Sequence, residues 1–222
     1  MATTVEVRRC TRLHGEPMGG RTVLERDSMS TTRNTRKEAM HYLSHYESPL
    51  GAMTMASDGE HLTGLWFDGQ KYDRSTIDGN AELKPHLPVF TQTAQWLDAY
   101  FEGSDPGFTP PISVEGSDFK KMVSSIMLSI PFGATSTYAR IAAEVARRTG
   151  RTHMSAQAVG GAVGRNPIVL IVPCHRVLAS DGSLRGYAGG VDRKERLLQM
   201  EGVNMSGLST PPDADDGGGR RE

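Results

Sequence analysis

Three reactive side chains stand together in this sequence, because Cys174, His175 and Arg176 follow Pro173 directly. A thiolate is a strong nucleophile, and cationic neighbours such as imidazolium and guanidinium can lower the pKa of a thiol towards neutral pH. The alternative is an inert core cysteine, since free cysteines are usually buried and structural. Two of the three side chains are polar and costly to bury, so the triplet favours a reactive thiol.

The element that delivers this thiol is the apolar run 168–172, which is mostly β-branched. A run of this length and type predicts a buried strand, and Pro173 would end its ladder because proline has no N–H to donate. Neighbouring residues of an extended segment point to opposite faces, so Cys174 and His175 should not touch directly. We therefore expect the imidazole to act through a water or after a local bend, with a third group orienting the ring.

The composition is that of an ordinary globular protein of 222 residues. No apolar run approaches the length of a membrane span, and the N-terminus lacks the apolar core of a signal peptide. Cys10 and Cys174 are the two cysteines, far apart in sequence, which excludes a disulfide scaffold. This cysteine usage is typical of a reducing compartment, so we expect a cytoplasmic protein.

The chain divides into four predicted segments. Residues 1–37 and 206–222 lack apolar periodicity and are rich in small and polar residues, which predicts two disordered tails. Between them, a Pro/Gly-rich linker at 105–116 marks a domain boundary. We therefore predict an N-terminal domain at 38–116 and a C-terminal domain at 117–205.

The N-terminal domain is predicted to be a small sheet with one helix. Alternating patterns predict strands at 41–46, 52–56 and 62–67, joined by tight turns into an antiparallel meander. Apolar residues at helical spacing predict a helix at 89–101. The histidines of this domain have no metal-ligand spacing and no cysteine beside them, so we predict no bound metal.

The C-terminal domain is predicted to be mainly helical. Its helices are predicted at 119–130, 135–148, 155–163 and 193–200. The second and third of these, joined by a turn at Gly150, form a helix-turn-helix candidate.

Charge separates the two domains. Residues 38–118 hold 3 Lys/Arg against 13 Asp/Glu, a net charge of −10, whereas residues 119–199 hold 12 against 4, a net charge of +8. A basic lobe indicates a polyanionic partner, nucleic acid first; the alternative is that the basic side chains only solvate helices.

Two glycine-rich stretches need a physical reason. Gly160 and Gly161 lie inside the third predicted helix, where glycine is unfavourable by up to about 1 kcal/mol relative to alanine. Close approach to a DNA minor groove and close packing of a neighbouring helix explain them equally well. The loop 182–190, which contains Tyr187, could bind a planar heteroaromatic ring through its backbone N–H groups, or be a surface turn.

The sequence resembles the O6-alkylguanine-DNA alkyltransferases, because residues 173–177 look like the active-site motif of that family. The resemblance is strong over 119–203 and loose over 38–118. Further segments match in the family's order, at 130–133, 137–138, 158–162, 166–167, 186–190 and 194–202. The resemblance implies an α+β fold with a ribonuclease H-like N-terminal α/β domain on a three-stranded antiparallel sheet. It also implies a mostly helical C-terminal domain with a winged helix-turn-helix-like motif that binds DNA.

The chemistry implied by the resemblance is a single-turnover transfer. Such proteins bind double-stranded DNA through the minor groove and flip an O6-alkylguanine, or in some cases an O4-alkylthymine, out of the stack. A thiolate then takes the alkyl group irreversibly. The resemblance implies no cofactor and a monomer.

The catalytic roles carried over fall on residues of this chain. Cys174 would accept the alkyl group, His175 would relay its proton through a water, and Glu201 would hold the imidazole in one tautomer. Asn166 would pin the loop before the cysteine, and Tyr138 would donate to a guanine ring nitrogen. Without the resemblance, Glu201 reads equally as a solvated acid, Asn166 as a turn residue and Tyr138 as a core aromatic.

The resemblance also assigns residues that contact the substrate and the duplex. Those that would line the base pocket are Tyr187, Ala188, Gly189 and Val177. Those that would contact DNA are Arg151, Ala156, Gln157, Gly160, Gly161 and Arg165. Gln157 stands where many relatives carry an arginine that replaces the flipped base, so the sequence leaves open whether Arg151 or Arg165 compensates.

Other functions remain to be weighed against the alkyl acceptor. A non-catalytic alkyltransferase-like protein would bind the lesion and recruit other repair factors, but such relatives lack the cysteine that this chain has at Cys174. A methylation-sensing regulator would need further domains. A Cys–His hydrolase would turn over many times, whereas an acceptor reacts once.

Overall fold

The computed structural model of this chain describes residues 40–210. The predicted tail at 1–37, Cys10 and residues 211–222 of the second predicted tail lie outside the described residues. Residues 206–210 are described, and there Ser209 forms a bridge with Ser183. Within 40–210, every helix is too short or too polar to cross a membrane.

The N-terminal part is a four-stranded sheet in the order β3-β2-β1-β4. Strands β1 (His41–Ser48), β2 (Gly51–Ser57) and β3 (Leu62–Phe67) form the predicted antiparallel meander. A fourth strand, β4 (Ala81–Leu83), pairs in parallel with β1 and makes the sheet mixed. This strand was not predicted, because three exposed residues carry no readable alternation.

Helix α1 (Pro88–Phe101) covers this sheet and confirms the predicted helix to within one residue. Pro88 stands in its first turn, where the missing N–H of proline would have no helical partner in any case. Phe90, Leu97 and Tyr100 recur at helical spacing and are buried, so one face of α1 contributes to the core.

The C-terminal part is helical, as predicted. Its helices are α2 (Asp118–Leu128), α3 (Tyr138–Thr149), α4 (Ala156–Val163) and α5 (Val191–Met200). Ser117, Thr137 and Ser155 cap α2, α3 and α4, each with its side-chain oxygen accepting from a backbone N–H of the first turn. Gly150 ends α3 in the left-handed conformation with φ of 66°, which glycine adopts without strain. The helix-turn-helix arrangement of α3 and α4 is confirmed.

Helix α3 begins three residues later than predicted, because Ser136–Thr137 form a short strand, β5. This strand pairs in parallel with β6 (Val177–Leu178), which directly follows the Cys174 segment. The pairing brings the first turn of α3 to the residues after the cysteine. Tyr138 is thereby placed on the side of the molecule where the reactive triplet lies.

The predicted buried strand at 168–172 is wrong. These residues are buried as expected, but they form a tight turn in which Leu170 has a φ of 68° and Val172 N–H donates to Ile168 O at 3.1 Å. An apolar β-branched run reports burial, and burial alone does not distinguish a strand from a turn inside the core. The turn is anchored on the edge of β3, where Leu65 exchanges backbone hydrogen bonds with Pro167 and Val169 at 2.8 and 3.0 Å.

Candidate active site

The thiol of Cys174 lies at the start of a 3-10 turn, Cys174–Arg176, and only 4% of the residue is exposed. Asn166 holds the turn before it: its Nδ2 lies 2.7 Å from Val172 O, 3.2 Å from Ile168 O and 3.1 Å from Cys174 Sγ. Its Oδ1 accepts from Ile168 N–H at 3.1 Å. Because Asn166 is itself buried, it both shapes the turn and contacts the sulfur.

The pKa of this thiol does not follow the simple expectation from sequence. Burial raises the pKa of Cys174, and it outweighs the Asn166 hydrogen bond and the Lys194 charge, which lower it. The expected help from the adjacent guanidinium is missing, because Arg176 pairs with Glu201 instead. The buried thiol is therefore protonated at neutral pH and needs a base to become a nucleophile.

His175 has the geometry of that base. Its Nε2 lies 2.6 Å from Glu201 Oε1, and both side chains are fully buried. Burial lowers the pKa of His175, so the ring is neutral at pH 7 and Nε2 carries the proton it donates to the carboxylate. The other nitrogen, Nδ1, has no hydrogen-bond partner among residues 40–210 and is left as a proton acceptor.

Glu201 is a buried carboxylate at the end of α5, which excludes the solvated-acid alternative. Arg176 Nε donates to Oε2 at 2.8 Å and Arg176 Nη2 to Oε1 at 3.0 Å, while Gly133 N–H reaches Oε2 at 3.2 Å. Burial alone would raise the pKa of Glu201, but the His175 and Arg176 interactions lower it to about 2. Glu201 is therefore anionic and accepts a hydrogen bond from the imidazole, while its role in fixing the tautomer stays a prediction.

Two residues that the sequence did not single out belong to this centre. Tyr100 donates its hydroxyl to Glu201 Oε1 at 2.8 Å. Lys194 is fully buried, donates to Val177 O at 2.6 Å, and has its pKa lowered to about 8 by burial. The helical spacing of Lys194 to the buried Leu197 and Leu198 was a readable signal that this lysine faces inward.

Tyr138 lies at the start of α3 with its hydroxyl 3.4 Å from Arg185 O. Burial raises its pKa to about 12, so the phenol keeps its proton at neutral pH and can donate it. The adjacent loop is fitted to this side chain, since a Cβ on Gly186 would stand 2.7 Å from the Tyr138 hydroxyl. Gly186 also has a φ of 87°, so both space and backbone require glycine here.

The glycine-rich loop folds Tyr187 inward, with its ring centroid 6.4 Å from that of His175. Its hydroxyl is buried and has no hydrogen-bond partner within the described part of the chain. Gly189 permits this fold, because a Cβ there would stand 2.6 Å from the Tyr187 ring. The loop is tied to the sheet domain by Lys71 N–H, which donates to Ala188 O at 3.1 Å.

Arg193 makes the second tie between this loop and the sheet domain. Its guanidinium donates to Gly189 O and to Leu50 O, both at 2.9 Å, and lies 4.7 Å from the ring centroid of Phe67. Leu50 belongs to the turn between β1 and β2. This turn therefore presents a carbonyl that positions the loop.

The residues expected to contact DNA lie on and around α4. Ala156 and Gln157 are exposed at its start, and Gly160 and Gly161 are partly exposed on its next turn. A Cβ on Gly160 would make only ordinary contact with Tyr138 at 3.9 Å, so no closely packed helix requires glycine there. Of the two readings of these glycines, approach of an external partner is the one the structure favours.

The two arginines that could compensate for Gln157 differ in position. Arg165 lies beyond the C-terminal end of α4, donates to Gly161 O at 3.2 Å and stands over the Tyr72 ring at 5.6 Å. It is therefore held away from Gln157, at the other end of the helix. Arg151 is exposed in the turn before α4.

No group of three histidine, cysteine or acidic side chains is arranged to hold a metal ion anywhere in residues 40–210. The absence of a bound metal stays a prediction.

The family models extend over both parts of the chain. The 6-O-methylguanine DNA methyltransferase DNA-binding domain matches residues 118–203, and the 6-O-methylguanine DNA methyltransferase ribonuclease-like domain matches residues 41–114. The chain therefore belongs to the 6-O-methylguanine DNA methyltransferase family, which confirms the resemblance read from the motif.

Individual relatives agree with the family models. The methylated-DNA–protein-cysteine methyltransferase of Mycobacterium tuberculosis is 38% identical over 71% of this chain and 92% of its own length. The protein of the same name from Methanosarcina barkeri is 39% identical over 74% and 99%. The crystal structure of Mycobacterium tuberculosis OGT in complex with DNA superimposes with a TM-score of 0.61 at 36% identity, over 73% of this chain and 92% of that one. The predicted α+β fold class is confirmed.

Proposed function

We propose that this protein repairs DNA by moving a methyl or other alkyl group from O6-alkylguanine onto Cys174, once per molecule. The relatives are named for methyl transfer from methylated DNA to a protein cysteine, and they match over nearly their whole length. The observation that carries the assignment is the thiol of Cys174 held by Asn166 beside a buried His175–Glu201 pair. No other cysteine is present in residues 40–210.

The first step of the reaction is activation of the thiol. The proton of Cys174 passes through a water to His175 Nδ1, the ring nitrogen without a protein partner. Glu201 stabilises the imidazolium that forms, because its pKa of about 2 keeps it anionic. Burial disfavours a standing thiolate, so we expect the proton to leave as the sulfur reacts.

The second step is an in-line displacement. The sulfur forms a bond to the alkyl carbon while the bond from that carbon to O6 breaks, and the electron pair stays on the guanine. Tyr138 donates a proton or hydrogen bond to a guanine ring nitrogen and makes the base a better leaving group. The product is a thioether at Cys174, which needs no cofactor to form and does not revert, so each molecule reacts once.

The flipped base would occupy the space under the loop at Tyr187 and Ala188. The Ala188 N–H is suited to the guanine oxygen, and Gly189 lets the Tyr187 ring fold over the site. The carbonyls of Cys174 and Val177 would accept from the exocyclic amine. Lys194 already donates to Val177 O, but a carbonyl oxygen has a second lone pair for the base.

The duplex would bind along α4 through its minor groove. The glycines at 160 and 161 allow close backbone approach, and Gln157 fills the gap left by the flipped base. Arg151 adds charge beside the phosphates. We extend the proposal to a monomeric, cytoplasmic protein with domains at 38–116 and 117–205. The domain boundary is supported by the family models, since one ends at residue 114 and the other begins at residue 118.

Replacement of the sulfur tests the proposal. Cys174→Ala should transfer no label from DNA that carries O6-methylguanine with a radioactive methyl group, while its Kd for that DNA stays within about twofold. Cys10→Ala is the matched control and should take up label like the wild type. Label on the Cys174→Ala protein would show that another atom is the acceptor.

A further inference from the structure

Tyr100 is a fully buried tyrosine on α1, far in sequence from the reactive triplet. Its ring stacks on Trp96 at 5.2 Å and meets Phe132 edge-on at 6.0 Å. It also meets the His175 ring edge-on at 6.2 Å. Because aromatic neighbours fix the ring, the direction of its hydroxyl is fixed as well.

The hydroxyl of Tyr100 reaches both members of the proton-accepting pair. It donates to Glu201 Oε1 at 2.8 Å, and its oxygen lies 3.3 Å from His175 Nε2. The same Oε1 accepts from His175 Nε2 at 2.6 Å. With its own proton on Glu201, the phenolic oxygen turns a lone pair towards Nε2–H, and both contacts favour a ring whose proton is on Nε2.

We infer that Tyr100 is a positioning residue of the alkyl-transfer reaction, which holds the Glu201–His175 pair in the state where Nδ1 is free to take the thiol proton. The inference rests on the proposed function. It adds Tyr100, from the N-terminal domain, to a site whose other members Cys174, His175 and Glu201 come from the C-terminal domain. Tyr100 acts through His175 and does not touch the reacting atoms.

Other charged groups act on the same ring. Glu201 favours the protonated imidazole, whereas burial and the cations Arg176 and Lys194 disfavour it. Cys174 precedes it in the same turn, and Tyr187 faces it from the glycine-rich loop. A change at residue 100 replaces none of these side chains, so a shift of the midpoint reports the Tyr100 hydroxyl, acting directly on His175 or through Glu201.

The direction of the pH shift follows from Glu201 Oε1, the oxygen that accepts from both Tyr100 and His175. By donating to Oε1 at 2.8 Å, Tyr100 withdraws negative charge from the atom that binds His175, so the carboxylate stabilises imidazolium less. This short contact outweighs the opposing one at 3.3 Å, in which the phenolic oxygen faces Nε2–H. Without this hydroxyl, His175 holds a proton more tightly. The pH above which the base is free then rises, and the acidic limb of the rate–pH profile moves with it.

Two variants with opposite effects test this inference in the full-length chain. In Tyr100→Phe, the midpoint of the acidic limb of single-turnover methyl transfer should move to higher pH. At pH values below the midpoint its rate should fall about threefold to tenfold relative to the wild type, as expected for one hydrogen bond. Tyr100→3,5-difluorotyrosine, which keeps the ring and has a more acidic hydroxyl, should move the midpoint to lower pH. Tyr46→Phe is the matched control, because Tyr46 donates to Asp98 at an exposed site and should leave the midpoint unchanged.

The outcomes separate this inference from the proposed function. Opposite shifts of the midpoint in the two Tyr100 variants, with unchanged DNA affinity, support the positioning role. An unshifted midpoint in the difluorotyrosine protein, or a Tyr100→Phe protein slowed equally at every pH, would overturn it and leave a packing role only. A wild-type protein that transfers no methyl group would instead refute the proposed function, and the inference with it.

Discussion

The two sides of Cys174 are built differently. On one side, the His175–Glu201 pair is sealed in the core, and Arg176, Tyr100 and Gly133 all donate to the carboxylate. On the other side, Gly186 and the start of α4 are exposed, and Tyr138 reaches the loop at 185–190 through one hydrogen bond of 3.4 Å to Arg185 O.

The buried side holds the proton acceptor in place, whereas the more exposed side is the one that the proposed substrate base would enter. A proton acceptor whose geometry is set before substrate arrives avoids a reorganisation that would add to the barrier. In the proposed function the base-binding side accepts a nucleotide from a duplex, so it cannot be equally closed. Arg193 and the Lys71–Ala188 backbone contact anchor the loop to the N-terminal domain.

The largest effect on this comparison is expected from removing the negative charge of the buried Glu201 carboxylate. Glu201→Gln leaves the Arg176 cation buried without its partner, and we expect a loss of about 3–5 kcal/mol in the free energy of unfolding. Urea titration measures it. Glu195→Gln is the matched control on the same helix, because Glu195 contacts Gln199 at an exposed site and should change stability by less than about 0.5 kcal/mol. Equal losses in both variants would contradict the sealed-pair account.

The pH dependence of stability sharpens the same point. The pKa of Glu201 is lowered in the folded protein to about 2, so its stabilising contribution is complete above the ordinary pKa of a glutamate and is lost as pH falls towards 2. Between pH 5 and pH 2.5 the wild type should therefore lose more stability than Glu201→Gln does. Urea titrations at the two pH values measure the difference, and parallel losses would show that Glu201 does not carry it.

A smaller effect is expected where the loop is anchored. Arg193→Met removes both hydrogen bonds to carbonyl oxygens, and we expect a loss of about 1–2 kcal/mol with faster hydrogen exchange at 186–190. Arg196→Met, an exposed position on the same helix, should leave the exchange unchanged. Unaltered exchange in the Arg193 variant would mean that the loop is held by other contacts.

The smallest effect is expected at the DNA-facing helix. Gln157→Arg supplies a cation at the position proposed to fill the gap of the flipped base, and we expect about threefold faster transfer from duplex DNA with no change on free O6-methylguanine. Gln199→Arg repeats the substitution at an exposed site on α5. Equal acceleration on duplex and free base would exclude a role for residue 157 in extrusion.

Much of this architecture was readable from local patterns. Alternation predicted the three strands of the meander, and Gly150 predicted the turn between two helices, where it ends α3 in the left-handed conformation. The contacts of Asn166 and Glu201 were predicted only because a family resemblance supplied their partners.

What could not be predicted depends on distant parts of the chain. The 168–172 turn has the composition of a strand, and its shape depends on Leu65 and Asn166 supplying hydrogen-bond partners. Nothing in α1 indicates that the hydroxyl of Tyr100 meets a carboxylate from α5. The pKa of Cys174 was misjudged, because its neighbours in sequence were counted and its burial was not.

The most direct test of the whole account is the mass of the intact protein after incubation with an excess of duplex DNA that carries one O6-methylguanine. The account predicts a gain of one methyl group per molecule and no more, mapped by peptide analysis to Cys174. An unchanged mass, or a methyl group on any other residue, would contradict it.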